Sequence, residues 1–156
     1  MPQNFQPIIP YLAVDNASAA VELYVKAFGA REVSRQPAPN NPSKLLHVEL
    51  EINGGRLMMA DDFPEMRGGK ASTAKALGGS PVTLHITSER AEQLFNQAVK
   101  AGAKVVMPFG PQFWGSNYGQ VQDPFGLLWS LGTPEQALTD DQLRTGAEKA
   151  MGAAKA

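Results

Sequence analysis

The sequence predicts an α+β fold made of two tandem βαβββ modules, and three observations carry that prediction. A short apolar run, Ile8 to Val14, leads into a helical pattern with apolar residues at Ala17, Ala20, Val21, Tyr24 and Val25. A second run, Val82-Thr83-Leu84-His85-Ile86, leads into Ala91, Leu94, Phe95, Ala98 and Val99, so each helical position recurs 74 residues on. Each half then continues as strands, Leu45–Ile52 and Arg56–Ala60 in the first, Gly119–Gln122 and Leu127–Leu131 in the second. One such unit cannot bury a sheet face by itself, so the two should pair and enclose a space.

Each element has a local reason. Asp15 or Asn16 caps the first helix, Glu22 and Lys26 pair on its solvated face, and Gly29 ends it. Val33 begins a second strand. The prolines at 37, 39 and 42 remove donors and restrict their predecessors, which predicts a loop over 36–44. Asn53-Gly54 is a hairpin turn. Residues 62–80 turn to Gly, Ser, Thr, Lys and Pro and read as a linker. After the second helix, Lys104–Met107 is a strand, Phe109-Gly110-Pro111 a turn, and Asp123-Pro124-Phe125-Gly126 a type I turn. Thr139-Asp140-Asp141-Gln142 is a capping box that opens a C-terminal helix. The expected organisation is one domain over 1–133 (module one about 7–61, module two 81–133) with a helical tail over 134–156.

Composition narrows the function. The net charge is −1 and no Lys/Arg run exceeds two, so no phosphate-neutralising stripe for nucleic acid is built. Cysteine is absent, which removes disulfides, thiolate nucleophiles and Cys-ligated zinc. No apolar stretch approaches the ~20 residues of a membrane span. Met1-Pro2-Gln3-Asn4 has neither a basic nor an apolar leader segment, so a cytoplasmic protein is expected. Gly-x-Ser-x-Gly is missing and the Gly pairs follow no strand-to-helix pattern, so neither a nucleophile elbow nor a phosphate loop is expected.

Several segments resemble the vicinal oxygen chelate superfamily, which holds glyoxalase I, extradiol dioxygenases and bleomycin- or fosfomycin-resistance proteins, and within it the PhnB-like branch. They are Pro10-Tyr11-Leu12, Ala60-Asp61-Asp62-Phe63-Pro64-Glu65, Leu77-Gly78-Gly79-Ser80-Pro81-Val82, Gln112-Phe113-Trp114-Gly115, Tyr118-Gly119 and Asp123-Pro124-Phe125-Gly126, in order across about 7–133. The resemblance implies strands curled into a U-shaped, partly closed barrel around a cavity, with helices outside. It also implies homodimerisation.

Metal-dependent members place His, Glu or Gln on the first and fourth strand of each module. The corresponding residues here are Ile9, Met59 (or Met58, one register away), Thr83 and Ser130, none of which is a good divalent ligand. No metal and no cofactor are therefore expected. Strand alternation sends Leu12, Val14, Leu84 and Ile86 to the helices and Ile9, Tyr11, Ala13, Thr83, His85 and Thr87 inward. The expected ligand-binding set is Ile9, Tyr11, Met59, Thr83, His85, Phe113, Trp114, Tyr118 and Ser130, because flat rings with polar tips orient small, partly apolar or aromatic molecules. Trp129 should pack on the helices.

Two function classes follow. In the first, the cavity between the modules binds a small molecule without catalysis. In the second, a lyase or isomerase transfers a proton through His47, Glu49 or His85, with those three also able on paper to hold a relocated metal. The alternation of His47, Glu49 and Glu51 against Val48, Leu50 and Ile52 equally fits a sheet with one solvated face.

Overall fold

The computed structural model of the chain describes residues 8–153. The Met1–Asn4 segment and the last three residues of the tail lie outside the described residues. In chain order the elements are β1 (Tyr11–Val14), α1 (Ala17–Phe28), β2 (Arg31–Ala38), β3 (Asn41–Ile52), β4 (Gly55–Asp61), a 3-10 turn (Pro64–Arg67) and α2 (Ala74–Leu77). They continue with β5 (Thr83–Thr87), α3 (Ala91–Lys100), β6 (Lys104–Pro111), β7 (Asn117–Gln122), β8 (Leu128–Gly132) and α4 (Asp140–Ala153).

The strands form two four-stranded sheets of identical topology, β1-β4-β3-β2 and β5-β8-β7-β6. In each, the first strand runs parallel to the fourth and the other pairs are antiparallel. This is the duplicated βαβββ pattern. Among the described residues no strand of one sheet pairs with the other, so the two sheets stand side by side without closing.

Helices α1 and α3 cover one face of the sheets and pack on each other. Their inner stripes are the expected ones: Ala17, Ala20, Val21 and Tyr24 are buried, as are Ala91, Leu94, Phe95 and Ala98. Val25 and Val99 turn outward instead, 45% and 37% exposed, and Ala27 and Phe28 complete the first stripe. Asn16 caps α1 by accepting from the Ala19 N–H at 3.0 Å. Thr139 and Gln142 exchange the two capping-box bonds at the start of α4, at 2.9 and 3.3 Å.

A buried carboxylate joins the halves. Tyr24 of α1 donates to Asp123 Oδ2 at 2.6 Å, and Trp129 Nε1 donates to the same oxygen at 2.9 Å. The other oxygen, Oδ1, accepts the backbone N–H groups of Phe125 and Leu127 at 2.9 and 3.0 Å, which holds the 123–126 turn. The Trp129 ring packs on Phe28 and Tyr24 at 4.5 and 4.9 Å, so it faces the helices as its strand position requires. Burial, then the Asp123 charge and its hydrogen bond, hold the Tyr24 hydroxyl well above the usual tyrosine range.

Two expected loops are strands. Residues 36–44 are not a loop: β2 runs to Ala38 and β3 begins at Asn41, with register shifts at Gln36/Pro37 and Pro37/Ala38. Pro37 is tolerated because β2 is the outer strand of its sheet and the bulges absorb its missing donor, Pro39 lies in the turn between the strands, and Pro42 precedes the stretch of β3 that pairs with β4. Phe109-Gly110-Pro111 likewise lies inside β6, the outer strand of the second sheet, where a shift between Met107 and Gly110 takes up the irregularity.

Candidate functional site

With the helices on one face, each sheet leaves its other face open. Register shows which residues occupy equivalent places there. Tyr11 pairs with Met58 and Ala13 with Ala60 in the first sheet; His85 pairs with Ser130 and Thr87 with Gly132 in the second. Glu49 opposes Met58, and Gln120 opposes Ser130. Two residues further back on the same strands stand His47 and Tyr118. Each open face therefore carries one His and one Tyr in exchanged positions.

On the first sheet the Tyr11 hydroxyl lies 2.8 Å from His47 Nδ1, with ring centroids 5.5 Å apart. Glu49 is held by Arg56 at 2.7 Å, and Glu51 by Arg31 at 2.8 Å. These charges satisfy one another, as on a solvated sheet face.

On the second sheet His85 is engaged through both ring nitrogens, Nδ1 by Ser130 Oγ at 2.8 Å and Nε2 by Thr87 Oγ1 at 3.1 Å. Its ring stacks on Tyr118 at 5.9 Å with planes 17° apart, and Tyr118 meets Trp114 nearly edge-on at 5.5 Å and 78°. Gly132 makes the room: a methyl there would sit 3.0 Å from His85 Cε1, where the first sheet carries Ala60. The result is a cleft of about 700 Å³ lined by His85, Thr87, Met107, Trp114, Ser116, Tyr118, Thr133, Pro134 and Glu135.

The tail builds one wall of that cleft. The Thr133 N–H donates to the Asn117 carbonyl, the Asn117 N–H donates back to Thr133 Oγ1, and the Gln136 N–H donates to the Gly115 carbonyl at 3.0 Å. Gly115 permits the approach, because its φ is +90° and a side chain would meet the Gln136 carbonyl at 3.1 Å. This strap carries Pro134 and Glu135 into the lining of the same cleft as Trp114 and Tyr118.

The expected binding set is divided by this geometry. His85, Trp114 and Tyr118 line the cleft, with Ser130 bonded beneath His85. Thr83 lies instead along a smaller cavity of about 350 Å³ between the modules, shared with Pro10, Arg56, Leu57 and one side of His85. Phe113 turns toward α4, against Gly146. Tyr11 stands on the other sheet beside His47, and Ile9 precedes β1 there. Met59 is a correction: it is fully buried in the core, and Met58 takes the open face. The polar residues that flank the pair gave opposite answers: Arg56 shares the face of Met58, whereas Asp61 shares the face of Met59 yet is buried, so period-two alternation did not choose between them. The single cavity expected between the modules is thus replaced by two separate spaces.

His47, Glu49 and His85 are not a metal triad. They are split between two sheets, Glu49 is paired with Arg56, and among the described residues no three His, Asp or Glu side chains group to hold an ion. The paired inward positions of the first and fourth strands offer a phenol, a thioether, one imidazole and a hydroxyl, a poor donor set for a divalent cation. The conspicuous Asp61 and Asp62 are structural: Asp61 accepts the backbone N–H groups of Ala17 and Leu45, and Asp62 binds Ser72 and Arg67. The sequence did not single out Met107, the last residue of its expected strand, nor Ser116, Thr133, Pro134 and Glu135, which lie in segments without periodicity.

Comparison with known proteins places this architecture. An uncharacterized protein of Mycobacterium bovis, Mb0911c, is 46% identical over 142 residues, covering 90% of this chain and 92% of its own. The crystal structure of PA1353 from Pseudomonas aeruginosa superposes with a TM-score of 0.65 at 27% identity, over 83% of this chain and 98% of that one. A PhnB protein from Bacillus cereus shares the fold at a TM-score of 0.63 and 19% identity, over 83% of this chain and all (100%) of that one. The family model for the glyoxalase/bleomycin resistance protein/dioxygenase superfamily matches residues 6–131, and the chain belongs to that superfamily.

Proposed function

We propose that this protein binds a small, partly apolar or aromatic molecule in the cleft of its second module, without a metal or a dissociable cofactor. The observation that carries the reading is the cleft of about 700 Å³ walled by the rings of Trp114, Tyr118 and His85. Concave sites of this size with aromatic walls and a few polar groups suit small organic ligands. Apolar burial at about 25 cal/mol per Å² supplies affinity, and the hydroxyls of Ser116, Thr87 and Tyr118 supply orientation. The motif order supports the PhnB-like branch within the superfamily, and the reading carries with it a cytoplasmic homodimer.

The test is a panel of aromatic fragments of differing charge observed by ligand-detected NMR. Saturation transfer should appear with the wild-type chain and disappear with Trp114→Ala. Equal signals from both proteins would overturn the assignment of the site.

A second reading is favoured by one observation: His85 is held by hydroxyls on both ring nitrogens at the floor of the cleft. In that reading the protein is a lyase or isomerase and His85 moves the proton. His47, hydrogen-bonded to Tyr11 on the other sheet, and Glu49, paired with Arg56, have no part in that cleft. Turnover lost in His85→Ala and retained in His47→Ala is the pattern this reading requires.

A further inference from the structure

We infer that the cleft takes an organic cation with a compact alkylated ammonium group, held in the corner between Trp114 and Tyr118 and faced by Glu135. The inference rests on the ligand-binding reading of the same site and deepens it. Trp114 and Tyr118 lie 5.5 Å apart with planes at 78°, so they form a corner and not a parallel-walled slot. A flat ring can lie against only one wall of such a corner, whereas a tetrahedral head group touches both. Aromatic faces carry negative charge density, which attracts cations and is the basis of the cages that hold quaternary ammonium groups.

Charge points the same way. Among the described residues lining the cleft Glu135 is the one carboxylate, and none is Lys or Arg. The chain has 14 Lys and Arg against 15 Asp and Glu, so their absence here is local and not a matter of composition. His85 is a poor anchor for an anion, because both of its nitrogens are already engaged by Ser130 and Thr87. Met107 adds a polarisable thioether to the lining. A carboxylate, phosphate or sulfonate entering the cleft would meet a carboxylate and ring faces, while a cation meets complementary groups.

The experiment separates charge from shape. Three probes of one size are titrated calorimetrically into the full chain: (4-hydroxyphenyl)trimethylammonium, its neutral isostere 4-tert-butylphenol, and 4-hydroxybenzenesulfonate. The cation should bind about tenfold more tightly than the neutral isostere, the range expected for a cation over aromatic faces in a partly desolvated site, and the sulfonate should bind weakest. Glu135→Gln, a change on the exposed rim, should cut that preference to about threefold, the cation losing more affinity than the neutral probe. Trp114→Ala, checked for an unchanged circular dichroism spectrum, should remove it. Equal or tighter binding of 4-tert-butylphenol overturns the cation inference and leaves the binding cleft standing. Cation binding that neither variant alters overturns it too, because the site would lie elsewhere. No binding of any probe at millimolar concentration overturns the inference, while the fragment panel judges the cleft independently.

Discussion

The open face of the first sheet and that of the second carry one His and one Tyr at matching places, and they do different things with them. On the first, the Tyr11 hydroxyl and His47 are spent on each other at 2.8 Å, and Glu49 and Glu51 are neutralised by Arg56 and Arg31. On the second, Tyr118 and His85 stack, Ser130 and Thr87 fix the imidazole, and the ion-paired glutamate is replaced by Gln120. Gly132 stands where the first module has Ala60, and the tail strap adds a wall. Duplication supplied two similar sheets; small differences at four or five positions made a cleft on one of them. The residues that make a site are therefore found by comparing the modules, not by inspecting either alone.

The comparison can be broken most severely at the carboxylate that joins the halves. Asp123→Ala strips the acceptor from Tyr24, Trp129 and two backbone N–H groups, and should cost about 3–5 kcal/mol, read as a lowered midpoint of urea unfolding. Tyr24→Phe removes one charge-assisted bond and should cost about 2 kcal/mol. It should also change the alkaline limb. Tyrosine in the unfolded chain ionises near about 10, whereas buried Tyr24 keeps its proton to higher pH. Its contribution is thus complete below that value and declines above it, by up to about 1.4 kcal/mol per pH unit, because the unfolded state releases a proton that the folded state retains. Wild-type stability should fall above pH about 10 more steeply than that of Tyr24→Phe.

The next effect sharpens the contrast between faces. Trp114→Ala should weaken fragment binding by more than about tenfold, and Tyr11→Phe on the opposite sheet by less than about twofold, both read by calorimetry. Equal losses would mean that the two faces share one site. Gly132→Ala makes the second module resemble the first; the added methyl presses on His85 at 3.0 Å and should cost about threefold in affinity. The smallest effect belongs to the first face itself. Arg56→Ala breaks an ion pair whose partners are 36% and 22% exposed, and should move the unfolding free energy by about 1 kcal/mol or less.

How much of this was legible depended on local contrast. The helices announced themselves by periodicity, and their counterparts at Ala91, Leu94, Phe95 and Ala98 fixed the duplication. His85 stood out as a polar residue on an apolar strand, Ser130 came from the fourth-strand register that the family resemblance implies, and Trp114 and Tyr118 stood out as rings in a Gly, Ser and Asn segment. Met58 and Met59 could not be told apart by pattern, since Arg56 and the buried Asp61, at the two ends of the run, are polar residues on opposite faces. The Pro37 and Pro111 segments were misread because proline argues against a strand except at a sheet edge, and edge position is a tertiary fact. Glu135 was invisible for a similar reason: a tail residue gains meaning only from the strap that brings it into the same cleft as Trp114.

The bond from Tyr24 to Asp123 reaches from the first half of the chain into a tight turn of the second, at a separation of 99 residues. Each half thus supplies a piece that the other needs to complete its interior. Nicking the backbone at the exposed Gly68-Gly69 pair should leave two fragments that reassociate when mixed and remain incompletely folded when kept apart.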